Sequence, residues 1–142
     1  MDGKIELFTP LFNLKNMKIG ILLSGCGVYD GAEIHESVFT LLALEEEGHE
    51  AVCLSINKTQ HHVINHLNGE EMHENRNMLI ESARIARGEV IEINNVGSID
   101  GLIIPGGFGS AKNFTKWAFS GPEGMILEEV KNLILKLNSE KK

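Results

Sequence analysis

The chain is poor in basic residues, cysteine and long apolar runs, and each shortage argues against a class of function. Thirteen lysines and arginines stand against 20 aspartates and glutamates, a formal net charge of -7. Such a surface repels phosphate backbones, so neither nucleic acid nor an anionic membrane is an expected partner. The two cysteines, Cys26 and Cys53, sit in different segments with neither metal-ligand nor redox spacing. That leaves no disulfide framework and fits a reducing compartment, so a cytoplasmic location is expected. No apolar run approaches the roughly 20 residues that span a bilayer. The opening MDGKIELFTPLFNLKN mixes acids with its lysines, unlike a secretory or organelle signal. No Gly-x-Ser-x-Gly occurs, so the nucleophile elbow of a serine hydrolase is not expected. Repeats, low-complexity tracts and interdomain linkers are missing as well.

What is present is enough for one core: 142 residues, 42% of them hydrophobic. Residues 1 to 16 precede the first clear strand and read as an N-terminal extension, leaving 17–142 as one α/β unit. Ile19 to Leu23 is short, continuously apolar and stopped by Ser24-Gly25-Cys26-Gly27, as a parallel strand buried on both faces should be. Ile34, Val38, Leu41 and Leu42 then recur at helical spacing up to Gly48, and Glu50 to Ile56 reads as a second strand, giving a right-handed βαβ unit. Residues 57–69 are polar and histidine-rich and read as a loop. Met78, Leu79, Ile80, Ala83 and Ile85 suggest a helix ending near Gly88, followed by strands at Val90 to Ile93 and Gly101 to Ile104. Met125, Ile126, Val130, Leu133, Ile134 and Leu137 line one face of a last helix, with Pro122 near its start. The alternation predicts a doubly wound, mainly parallel sheet with helices on both faces, incomplete at its C-terminal end.

In such a sheet ligands sit beyond the carboxyl ends of the strands, where two glycine-rich turns fall: Ser24 to Gly31 and Pro105 to Gly109. Gly106 and Gly107 could point consecutive N–H groups at an oxyanion, or could be a turn that needs glycine for sterics alone. Gly25-Cys26-Gly27 approaches a dinucleotide fingerprint, but Asp30 replaces the third glycine and would repel a pyrophosphate. No cofactor is expected. Among Glu33, His35 and Glu36 the preferred general acid/base is Glu36, whose pKa would rise if it were held between packed elements; the alternative is a surface helix glutamate. Cys26, Tyr29, Asp30 and His35 are further candidates for the same mouth, with Cys26 either reactive or packing. His62 and His66 would share a helix face at i, i+4, yet Val63 stands where a zinc-protease motif needs its glutamate, and Asn65 and Asn68 suit a helix interior poorly. No metal is expected there, and a solvated, ligand-facing loop is the reading for 61–73.

The stretch Ser24 to Glu36, SGCGVYDGAEIHE, resembles the enhancing-lycopene-biosynthesis (ElbB-type) family of glyoxalase-like proteins in the class I glutamine amidotransferase-like, ThiJ/PfpI superfamily. Val63 to Glu70, Asn75 to Asn77, Ala83 to Glu89 and Pro105 to Asn113 agree with it as well, so the resemblance runs from Lys18 onward. It implies a flavodoxin-like fold and a homodimer. It also implies a lyase acting without cofactor on small dicarbonyls such as glyoxal or methylglyoxal, in the context of isoprenoid biosynthesis. Carried over by residue, Glu36 matches the family's glutamate and Gly106-Gly107 its oxyanion glycine pair, with Asn113 a further pocket candidate. The family's cysteine nucleophile, on a later Gly-Phe-x-Cys-Ile-Ala-Pro-like elbow, has no counterpart in these 142 residues, and neither Cys26 nor Cys53 occupies its place. The chain as written is therefore expected to be an inactive fragment of a longer enzyme. A non-enzymatic regulatory or stress-response module that binds a metabolite or a protein partner is the competing expectation.

Overall fold

A computed structural model describes residues 16–142; the expected extension, residues 1 to 16, lies outside the described residues apart from Asn16. Four parallel strands form the central sheet: β1 (Lys18–Leu22), β2 (Glu50–Ser55), β5 (Val90–Glu92) and β6 (Gly101–Ile103), in the order β5-β2-β1-β6. Between β2 and β5 lies a two-stranded antiparallel hairpin, β3 (Val63–Ile64) with β4 (Glu71–Met72). The helices are α1 (Ile34–Glu46), α2 (Met78–Ala86), a short α3 (Trp117–Ser120) and α4 (Glu128–Ser139).

Side chains alternate across a strand, and this sheet is covered on both faces. Ile19, Ile21 and Leu23 pack with Leu44 of α1 and Ile85 and Ala86 of α2, whereas Leu22, Val52 and Leu54 pack with Val130, Leu133 and Leu137 of α4. Ile21, Leu22 and Leu54 are wholly buried, each contributing about 1.5–3 kcal/mol by burial. The expected doubly wound α/β architecture is the observed one. The hydrogen bond from Leu23 N to Leu54 O (2.8 Å) continues the β1–β2 pairing to the brink of the first glycine turn.

Three elements differ from expectation. The helix α1 buries Ser37 and Leu44, with Leu41 half-buried, while Ile34, Val38 and Leu42 are 42%, 47% and 48% exposed. Its rotation is set at its first turn, where Glu33 N donates to Gly106 O (2.8 Å), so the face at 37, 41 and 44 looks at the sheet. The stretch expected to open the last helix instead makes a 3₁₀ turn at Gly121–Glu123 that holds Pro122. Ile126 bridges to Thr115, and Met125 is 79% exposed, so the inward face of α4 begins at Val130. The polar segment before α2 closes as a hairpin, its turn tied by Gly69 N to Asn65 O (2.7 Å) and Asn65 N to Glu70 O (2.8 Å).

Candidate active site

The turns after β1 and β6 lie side by side because those two strands are neighbours in the sheet. Phe108 N donates to Val28 O (2.8 Å), and Gly109 N to Gly31 O (3.0 Å), stitching one turn to the other. Gly107 has φ +98°, and a Cβ there would meet Gly31 O and Glu33 N, so only glycine fits. The helix α1 starts against this seam, with Glu33 as its N-cap: the Glu33 carboxylate accepts from Glu36 N (2.6 Å) and contacts His35 Nδ1 (3.0 Å). These contacts, the Glu36 N–H first and His35 second, hold the Glu33 carboxyl below its ordinary value.

Capping places Glu36 on the turn that faces the glycines. Its Oε2 accepts from Gly106 N at 2.6 Å, and a Cβ on residue 106 would run into that carboxylate. A shallow cavity of about 350 Å³ opens here, lined by Val28, Glu33, Glu36, Gly107, Phe108 and Ala111. The backbone donors of this turn are unequally available. Gly106 N–H is taken by Glu36, Phe108 N–H by Val28 and Gly109 N–H by Gly31, so among the described residues Gly107 N–H is the donor left without an acceptor. One N–H of the glycine pair thus orients the carboxylate, while the other belongs to a residue that lines the cavity. Glu36 itself is exposed rather than enclosed between packed elements, since the cavity mouth is open on its side. One of its oxygens has no hydrogen-bond partner among the described residues.

The other candidates are distributed around this mouth. Asn113 is buried in a π-turn, Ser110–Phe114. Its amide donates to Ser24 O and Asp30 O (both 2.9 Å) and its Oδ1 accepts from His61 N (2.8 Å), so it ties three segments together. Asp30, 3% exposed, accepts from Ile64 N (2.7 Å) and anchors the hairpin. Tyr29 is exposed and stacks on His66, with ring centroids 4.8 Å apart. The His35 side chain is 83% exposed and bonded to Glu33. Cys26 does not line the cavity with Glu36; it packs against the α1–α2 side of the core. Burial first, and the Glu81 carboxylate second, push its thiol up, away from the thiolate a nucleophile needs. Cys53 lies buried in β2, and burial raises its thiol as well.

Sequence reasoning passed over three features of this mouth. Glu33 works as the cap, for which an acid immediately before the first helical residue was the available signal. Phe108 forms an exposed wall of the cavity. Lys112 Nζ sits 5.0 Å from the Phe108 ring centroid and donates to Tyr29 O (2.8 Å). His62 and His66, read from the sequence as part of a solvated loop, lie just before β3 and within the hairpin turn, and no three His, Cys, Asp or Glu side chains among the described residues are grouped to hold a metal ion. No helix among them is long and apolar enough to cross a membrane.

No protein-family model matches the chain. It is 41% identical over 128 residues to the mitochondrial ES1 protein homolog of Rattus norvegicus. It is 42% identical over 120 residues to the mitochondrial glutamine amidotransferase-like class 1 domain-containing protein 3 of Homo sapiens. These matches cover 88% and 82% of the chain but 48% and 45% of the relatives, so the chain spans about half the length of the curated relatives it matches. The crystal structure of an isoprenoid biosynthesis protein with an amidotransferase-like domain from Ehrlichia chaffeensis superposes with a TM-score of 0.84 at 41% identity, covering 89% of this chain and 60% of that one. The expectation of a cytoplasmic location is overturned, because these two relatives and the Danio rerio ES1 protein, 32% identical over 129 residues, are all named as mitochondrial. In both fold and sequence this chain is similar to glutamine amidotransferase-like class 1 proteins over about half of their length.

Proposed function

We propose that this mouth is the carbonyl-handling half of a glyoxalase-like active site acting on small reactive dicarbonyls. The observation that carries the reading is the meeting, in one cavity, of a carboxylate held 2.6 Å from Gly106 N with the unspent N–H of Gly107. A thiol adds to one carbonyl carbon, forming a C–S bond and a hemithioacetal. Glu36 takes the proton from that carbon and returns it to the neighbouring one, while Gly107 N–H donates to the oxygen that gains charge. Water then cleaves the resulting thioester, releasing the thiol and a 2-hydroxy acid, so the reaction needs no external oxidant or reductant.

Cys26 and Cys53 line no part of the cavity, so this reading assigns the thiol to a segment represented in the relatives' greater length. The isoprenoid context in the solved relative's name extends to this chain on the same footing. A homodimer belongs to the proposal too, and the exposed Ile34, Val38 and Phe39 on α1 offer apolar surface that such a contact would cover. The test is conversion of methylglyoxal to lactate by the 142-residue chain and by a form extended to the relatives' length. Turnover by the longer form alone is expected. Robust conversion by the 142-residue chain, abolished in C26S, would overturn the assignment and make Cys26 the nucleophile. A longer form that binds dicarbonyls without turning them over would favour the non-enzymatic, metabolite-binding module.

A further inference from the structure

The histidine-rich segment and the π-turn meet beside the cavity in an arrangement the dicarbonyl reading leaves unused. Lys112 Nζ lies 3.1 Å from His62 Nε2, and Lys116 Nζ, one turn further along, lies 3.4 Å from His61 Nδ1. The two imidazoles stand side by side with centroids 4.9 Å apart, and His61 also packs on Phe119 at 4.3 Å. The segment is fixed to the π-turn by the hydrogen bond from His61 N to Asn113 Oδ1.

The two lysines are held entirely by neutral partners. Lys112 has a carbonyl, an imidazole and an aromatic face, while Lys116 has an imidazole, the Lys112 carbonyl at 3.5 Å and the Phe119 face at 5.8 Å. Among the described residues neither ammonium pairs with a carboxylate, although the chain carries 20 of them and Lys18, Lys58, Lys131 and Lys142 are each paired. In an acidic protein, two oriented ammonium groups one turn apart with no carboxylate in ion-pair contact make a seat for an anion, the Glu71 carboxylate acting on His61 only through space. Phe108 connects that seat to the chemistry, since Lys112 lies over its ring and the same side chain lines the cavity with Glu36 and Gly107.

We infer that Lys112 and Lys116, with His61 and His62, bind the anionic oxygens, carboxylate or phosphate, of a substrate whose carbonyl enters the cavity at Glu36 and Gly107. This rests on the reading of that cavity as a carbonyl site and narrows it from neutral dicarbonyls to 2-oxoaldehydes that also bear an oxyanion group. An oxyanion in the seat accepts from both ammonium groups without displacing Tyr29 O from Lys112, because an ammonium has three donors.

The test uses the 142-residue chain at fixed neutral pH and follows the histidine ring resonances by NMR during titration with inorganic phosphate, with acetate and with neutral glycerol. Saturable shifts of His61 and His62, with the remote His49 unmoved, are expected for phosphate or for acetate, and whichever binds tighter names the source of the charge. K116Q and K112Q should each weaken the tighter anion at least about tenfold, the loss of one charge-assisted hydrogen bond, and K112R should keep it within a few-fold. Equal responses to glycerol and both anions, or unchanged anion affinity in a folded K116Q variant, would overturn the inference. These binding results are independent of turnover: a seat that binds anions in a protein of the relatives' length without dicarbonyl activity defeats the glyoxalase reading alone. Turnover that neither bound anions nor K116Q alter defeats the seat alone.

Discussion

Glu36 owes its position to a neighbour that does no chemistry. The Glu33 carboxylate closes the first turn of α1 while the Glu33 N–H donates to Gly106 O, and the two together deliver Glu36 to Gly106. Because the folded Glu33 carboxyl lies below its ordinary value of 4.5, its contribution to stability is fully present above the unfolded value and is lost as pH falls through the lower folded one. Chemical denaturation of the native chain and E33Q should therefore show a midpoint gap that is constant at neutral and mildly acidic pH and closes below about pH 4.5; a gap independent of pH would rule the cap out as its cause. The Cys26 thiol is likewise shaped by its surroundings. Burial and Glu81 raise its thiol, so iodoacetamide should alkylate it more slowly at neutral pH than it alkylates a free thiol such as glutathione. Faster alkylation would show a thiolate that this environment does not support.

Among the elements, α2 is fixed most simply. Asn77 accepts from Leu79 N (2.9 Å) and Ile80 N (3.2 Å), and its amide reaches Asn57 Oδ1 (2.8 Å). N77A should cost about 1 kcal/mol, as N-cap removals do, read from urea unfolding; no change would mean that the cap contributes nothing. The same elements show why some of the fold was legible in advance and some was not. The strands were read from continuous apolar runs stopped by glycine, because a parallel strand covered on both faces admits little else. The glycine turns were placed correctly for the same reason. The inward face of α1 was not legible, since Ile34, Val38 and Leu42 outweigh Ser37 in any hydrophobic pattern, whereas the actual rotation is fixed by the Glu33–Gly106 hydrogen bond, made 73 residues apart in the chain. The hairpin was not legible because its strands are two residues each, Val63–Ile64 and Glu71–Met72, too short to show a period. Nor could the division of labour between Gly106 and Gly107 be foreseen, because it depends on which N–H the Glu36 carboxylate reaches.

At the scale of the whole molecule, the sheet formed by the described residues has one edge at β5 and the other at β6. Beside β6 lies a cavity of about 510 Å³, lined by Leu102, Ile104, Ile134 and Leu137 among others, with Ile103 and Ile104 36% and 38% exposed. Unpaired strand edges with apolar flanks invite further pairing, and the relatives, about twice as long as their matched segments, have chain to spare. The cavity that holds Glu36 stands at the carboxyl end of β1 and β6, where a doubly wound sheet presents its ligands. In the proposed reaction Glu36 is the group that moves the proton there. The most direct measurement is the kcat and KM of methylglyoxal conversion by the form extended to the relatives' length, compared with its E36Q variant. An isosteric amide can still accept from Gly106 N–H but cannot take up a proton. The expected result is kcat lower by about 10²-fold or more with KM little changed; a folded E36Q variant that keeps its kcat would contradict the account.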